Sequence, residues 1–159
     1  MKRRVARELD STDIKILAKL QENARITNVE LARAVNLSPS PCLERLKRLE
    51  ADGFVRDYVA RLDPTALGMT LLLFVEVNLN RTTADAFEAF HRKVVRVPEI
   101  LECHMVAGGF DYLLKVRLSD IREYRLLLAE ILTDLPFVRE TRSYVVMEEI
   151  KESTALPLR

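Results

Sequence analysis

The chain has 159 residues, 48% apolar and 31% charged, which suits one good core or two small ones in a soluble globular protein. Its longest uncharged run, Pro64 to Val75, is well short of the roughly 20 residues that cross a bilayer. No apolar segment follows the basic opening stretch Met1–Glu8, so no secretory signal is expected, and the widely separated Cys42 and Cys103 fit neither a disulfide framework nor a zinc site.

The net charge of +1 conceals an asymmetry. Residues 1–62 carry 13 Lys and Arg against 9 Asp and Glu, whereas residues 63–159 carry 12 against 15. Two modules with different partners are therefore predicted: 1–62, a linker at 63–69 where Pro64 and Gly68 fall close together, and 70–159.

The first module reads as three helices and a short hairpin. Asp10 can cap a first helix whose inner face is read as Ile14, Leu17, Ala18 and Gln21. Thr27-Asn28-Val29-Glu30 forms a capping box at the start of a second helix, with Leu31, Ala32 and Val35 inward. Asn36 tolerates the left-handed backbone that stops it, and Leu37 plugs the corner. Ser38 then caps a third helix whose first turn accommodates Pro39 and Pro41, and Leu43, Leu46 and Leu49 are expected to bury one face. Gly53 ends that helix, and residues 54–61 resemble a two-stranded wing.

Helix, short corner and helix at this length form a helix-turn-helix arrangement, which lays its later helix in the major groove. Hydroxyls and free amides near the helix start would reach base edges or phosphates, which makes Asn28, Ser38, Pro39 and Ser40 candidate DNA-binding residues. Arg45, Lys47 and Arg48 would neutralise phosphates or read guanine. The alternative is a plain trihelical core with a solvated charged face, since Glu44 and Glu50 dilute the patch.

The second module reads as β-α-β-β-α-β: a strand at 70–79, a helix from about Thr82 to Pro98, strands at 100–106 and 112–118, a helix capped by Ser119 and ended near Pro136, and a strand at 138–147. This order predicts an α+β fold in which a ferredoxin-like sandwich follows a winged helix-turn-helix domain. The helices cover one face of such a sheet. The apolar runs Leu71–Val75 and Tyr144–Met147 therefore predict a homodimer that buries the other.

Between the middle strands, Gly108 and Gly109 free the backbone to approach a ligand carboxylate, and Asp111 would receive an α-ammonium beside an apolar wall. A tight β-turn capped by Asp111 explains the same residues. Cys103 and His104 alternate along a strand and cannot share a metal, and His91 has no ligand partner one helical turn away. Cys42, at a helix start, is open either to a lowered thiolate pKa or to simple packing. Four glycines permit neither a P-loop nor a dinucleotide fingerprint. No catalytic residue, metal site or enzyme cofactor is expected. A free-standing amino-acid sensor is the remaining rival, although it would have no need of the basic module.

The motifs Leu9-Asp10-Ser11-Thr12-Asp13, Ala24 to Ala32, Leu37 to Glu50, Glu102-Cys103-His104, Gly109-Phe110-Asp111-Tyr112 and Tyr144 to Glu149 occur in an order that resembles the Lrp/AsnC family of transcription regulators, over nearly the whole chain. The resemblance implies a helix-turn-helix at about Asn28 to Lys47 and a C-terminal domain called RAM, for regulation of amino acid metabolism. It implies dimers that assemble into octamers, double-stranded operator DNA as partner, and a cytoplasmic, nucleoid-associated protein with no membrane contact. It also implies an amino-acid effector, leucine or another branched-chain residue, held between subunits near Gly108, Gly109, Phe110, Asp111, Tyr144, Val145 and Val146. Gly109 departs from what relatives often carry there.

Overall fold

The computed structural model describes residues 8–135 and 137–158, so the opening stretch 1–7 and Pro136 lie outside it. The chain divides into two compact units, one of residues up to 61 together with those from 152, the other of 62–151.

In the first unit, helices α1 (Ser11–Glu22), α2 (Asn28–Ala34) and α3 (Pro39–Ala51) enclose a core of Ile16, Leu17, Leu20, Leu31, Ala32, Val35, Cys42 and Leu49. Local chemistry sets the ends. The Asp10 carboxylate accepts the amides of Thr12 and Asp13 at 2.9 and 2.8 Å, and Thr27 and Glu30 form the reciprocal capping box. Asn36 sits at φ 58°, with the Leu37 amide donating to the Ala32 carbonyl and the Asn36 amide to Arg33; Gly53, Phe54, Leu49 and Glu50 repeat the pattern after α3. Two left-handed C-terminal caps of the same kind thus fix both the corner and the helix end.

Three expectations change. The buried face of α1 is Asp13, Ile16, Leu17 and Leu20 rather than Ile14, Leu17, Ala18 and Gln21, so the stripe lies about one residue earlier and includes a carboxylate that Arg45 compensates. In α3, Cys42 and Leu49 are buried and Leu46 half-buried, while Leu43 is 38% exposed, so the apolar stripe lies one position N-terminal to the expected one at its start. Residues 55–63 are non-helical and unpaired: no ladder forms a wing at 54–61. A two-stranded ribbon of this length has too few cross-strand bonds to hold itself.

Segment 152–158 was assigned by the sequence to the second module but packs on the first unit. The Leu156 amide donates to Gln21 Oε1 at 2.6 Å and Gln21 Nε2 donates to the Leu156 carbonyl at 3.1 Å. Leu158 packs against the helical core, and Glu152 pairs with Arg61 at 2.9 Å.

In the second unit, β1 (Leu71–Leu79), α4 (Ala84–Val94), β2 (Ile100–Met105), β3 (Tyr112–Leu118), α5 (Ile121–Asp134) and β4 (Val138–Val145) form an antiparallel sheet in the order β2-β3-β1-β4. The ferredoxin-like topology is that read from the sequence. Alternate residues Leu73, Val75, Val77 and Leu79 of β1 and Tyr112, Leu114, Val116 and Leu118 of β3 face one core with Phe90, Val94, Tyr124, Leu127 and Ile131 of the two helices. Asp120, not Ser119, caps α5: its carboxylate accepts the amides of Arg122 and Glu123, and the Ser119 amide reaches back to Glu123. The opposite face of the sheet is mixed rather than continuously apolar, because Leu72, Phe74 and Tyr144 alternate there with Glu76, Lys115, Arg117 and Arg142.

Candidate nucleic-acid interface and effector site

At 100° per residue, α3 separates its residues into two arcs. Cys42, Leu46 and Leu49 face the core, whereas Ser40, Glu44 and Lys47 lie within about 60° of one another on the opposite side, flanked by Leu43 and Arg48. Ser38 and Pro39 are exposed at the helix start, and the Ser38 side chain makes no cap hydrogen bond. Ser40, Lys47 and Arg48 therefore share one accessible surface below the exposed helix start, and they have no side-chain partner among the described residues.

Two residues expected on that surface are occupied elsewhere. Arg45 lies about 140° around the helix from Ser40 and turns towards α1. Its Nη1 donates to Asp10 Oδ2 at 2.5 Å and to Asp13 Oδ1 at 2.9 Å, and Asp13 is fully buried. The Asp13 and Arg45 hydrogen bonds hold the Asp10 carboxyl below its usual range, and both carboxylates push the Arg45 guanidinium further up. Asn28 Nδ2 donates to the Pro39 carbonyl at 2.9 Å, joining the first residue of α2 to the first of α3 across the corner. The sequence signal for the Arg45 pairing was present in Asp13: a carboxylate inside an otherwise apolar helical stripe requires a cation opposite it.

Cys42 is buried, and desolvation pushes its thiol up rather than down, so packing is its role; burial likewise raises Cys103 to about 11. His91 Nε2 lies 2.9 Å from the Tyr112 hydroxyl. His104 contacts Glu102, whose second oxygen accepts from Lys115, and the His104 hydrogen bond leads the lowering of the Glu102 carboxyl. No group of three metal-ligating side chains occurs among the described residues.

Within one chain, the residues expected to hold an effector fall into two sets. Gly108, Gly109, Phe110 and Asp111 lie on the loop between β2 and β3, where the Asp111 amide donates to the Val77 carbonyl and its carboxylate accepts the Leu79 amide at 2.7 Å. Neither glycine has a neighbour within 4 Å of an added Cβ, so the loop surface is open. Tyr144, Val145 and Val146 lie on the other flank of β1: Tyr144 pairs with Phe74 and donates its hydroxyl to Glu76 at 3.1 Å, and the Val146 amide bonds Leu72. The Glu76 hydrogen bond raises the Tyr144 hydroxyl pKa. Strand β1 thus separates the two sets, and Asp111 is engaged as a strand cap.

Residues 72–156 match the Lrp/AsnC ligand binding domain, and residues 9–56 match a winged helix-turn-helix DNA-binding model. The chain is 52% identical over 158 residues to the leucine-responsive regulatory proteins of Salmonella typhimurium and Escherichia coli, covering 99% of this chain and 96% of each relative. A transcriptional regulator of Neisseria meningitidis, solved in complex with L-methionine, superposes with a TM-score of 0.90 at 45% identity, covering 95% of this chain and 97% of that one. An AsnC family regulator from Agrobacterium tumefaciens gives 0.90 at 34% identity, covering 94% and 97%. The fold, the helical corner and these full-length similarities converge: the chain belongs to the Lrp/AsnC family of DNA-binding transcription regulators.

Proposed function

We propose that a dimer presents two copies of α3 to successive major-groove half-sites of an operator, spaced near one helical turn, about 10 bp, or a multiple of it. The observation that carries this reading is the outward arc of α3, where Ser40, Lys47 and Arg48 have no side-chain partner among the described residues, beside the open helix start at Ser38 and Pro39. Ser38, Pro39 and Ser40 approach base edges or phosphates, and Lys47 and Arg48 neutralise the backbone. Arg45 and Asn28 position α3 from behind rather than touching DNA.

The effector is an amino acid, with a branched-chain residue such as leucine favoured by the names of the relatives. It binds where the glycine loop of one subunit and the Tyr144–Val146 strand of another complete one site, since β1 keeps the two sets apart within a chain. Assembly beyond the dimer, to an octamer, would bring DNA sites together, and the effector would favour one assembly over another. Among the described residues no helix is long and apolar enough to cross a membrane. The bacterial regulators to which the chain is similar support a cytoplasmic, nucleoid-bound location.

A gel shift tests this with DNA upstream of the protein's own and neighbouring genes, excess competitor, fixed salt and each amino acid at millimolar level. A laddered, competitor-resistant shift altered by one or two amino acids is expected. Binding abolished by competitor and indifferent to every amino acid would contradict it.

A further inference from the structure

The outward arc of α3 contains a residue that electrostatic attraction to DNA does not explain. Glu44 lies between Ser40 and Lys47, exposed, and has no hydrogen bond or ion pair among the described residues. The cations three and four positions on, Lys47 and Arg48, leave it free, and adjacent Arg45 is held by Asp10 and Asp13. The other carboxylate of the helix, Glu50, accepts the Tyr58 hydroxyl at 2.8 Å, so Glu44 is the unengaged anion of the helix.

We infer that Glu44 determines base specificity, accepting a hydrogen bond from the exocyclic amino group of a cytosine in each half-site. This rests on α3 being the helix that enters the major groove.

A carboxylate carried into the groove is repelled by every phosphate, and a carboxylate only accepts hydrogen bonds. The base edges it can meet there are unequal. Guanine offers N7 and O6, both acceptors, and thymine offers O4 and a methyl group; neither can bind it. Cytosine offers its N4 amino group with no acceptor of its own on that edge. Adenine offers N6, but its N7 acceptor lies alongside and opposes the second carboxylate oxygen. The same charge that weakens binding in general thus selects cytosine first, adenine second, and excludes guanine and thymine. Its place one turn into the helix suits this role, because the early residues of such a helix reach base edges while later ones meet the backbone.

The test uses the full-length protein and Glu44→Gln and Glu44→Ala variants, selected against a duplex library randomised across the half-sites at one fixed salt concentration. Competition duplexes differing at a single position follow. For the unaltered protein, one position per half-site is expected to favour cytosine over thymine by about tenfold. Glu44→Gln, whose amide both donates and accepts, should move that preference to adenine and leave other positions alone. Glu44→Ala should flatten that position and bind random-sequence DNA more tightly, having lost a like charge. Neither variant should change the thermal unfolding profile, because Glu44 has no hydrogen bond or ion pair among the described residues.

The inference fails if both variants keep the base profile of the unaltered protein, or if they lose affinity equally for all sequences. If the unaltered protein shows no base preference at any position, the reading of α3 as the recognition helix fails and takes this one with it.

Discussion

Arg45 and Asp13 show how a charge pattern misleads when it is read without its partners. On the sequence, Arg45 belongs with Lys47 and Arg48 in a basic cluster; in the fold it compensates a fully buried carboxylate. Removing one member of such a pair leaves an uncompensated charge in the core, and losses run to about 3–5 kcal/mol when a buried pair is broken from one side. Urea unfolding of Arg45→Ala should therefore fall towards that range, with Asp13→Ala/Arg45→Ala losing less than the two single variants added together. Additive losses would show that the two side chains do not interact. Acidity acts on the same region through Asp10 and Glu30. The Asp13 amide and the Arg45 guanidinium lower the first, and the Thr27 hydroxyl lowers the second. Both bind protons less readily when folded, so their contribution is complete above the ordinary carboxylate range and is lost as pH falls below about 4. Asp10→Asn should flatten the acid limb of stability measured by circular dichroism between pH 5 and 2.

Helix α2 has only seven residues and depends on its ends. The capping box satisfies two backbone donors that have no intrahelical acceptor, and Thr27→Ala should lower the stability of the helical unit by about 1 kcal/mol, read by denaturant midpoint. That box, the left-handed stop at Asn36, the prolyl start of α3 and Gly53 were all legible from the sequence, because each is a local backbone device with a fixed residue chemistry. The bounds of β3 were legible for a similar reason, with the Gly108-Gly109 turn before it and a helix cap after it. What was not legible depended on contacts distant in sequence. The buried stripe of α3 begins at Cys42 rather than Leu43 because Arg45, one turn on, must face Asp13. The 54–61 segment has the residues of a ribbon, but a hairpin that short forms no ladder among the described residues. For the effector set, residue types suggested one pocket, while strand order places β1 between its two parts.

That separation is the physical reason to expect a subunit assembly. Tyr144 is half exposed on the open sheet face, where it lies with Phe74, Glu76, Lys115 and Arg142. Such a mixed face suits burial against a second copy with its charges paired. Light scattering after size exclusion at micromolar concentration should give a mass of two chains or an even multiple, and an 18 kDa species would contradict the assembly. Segment 152–158 completes the helical unit, bonded through Leu156 to Gln21 of α1. Which cations of α3 meet DNA is open to direct measurement. The salt dependence of operator affinity decides it, because each phosphate contact contributes about −0.9 to the slope of log affinity against log salt. Lys47→Ala and Arg48→Ala should each make that slope shallower by about 0.9 for every protomer engaged, whereas Arg45→Ala should weaken binding with the slope unchanged. A slope that changes for Arg45→Ala and not for Lys47→Ala or Arg48→Ala would contradict the assignment of α3's outward arc to DNA.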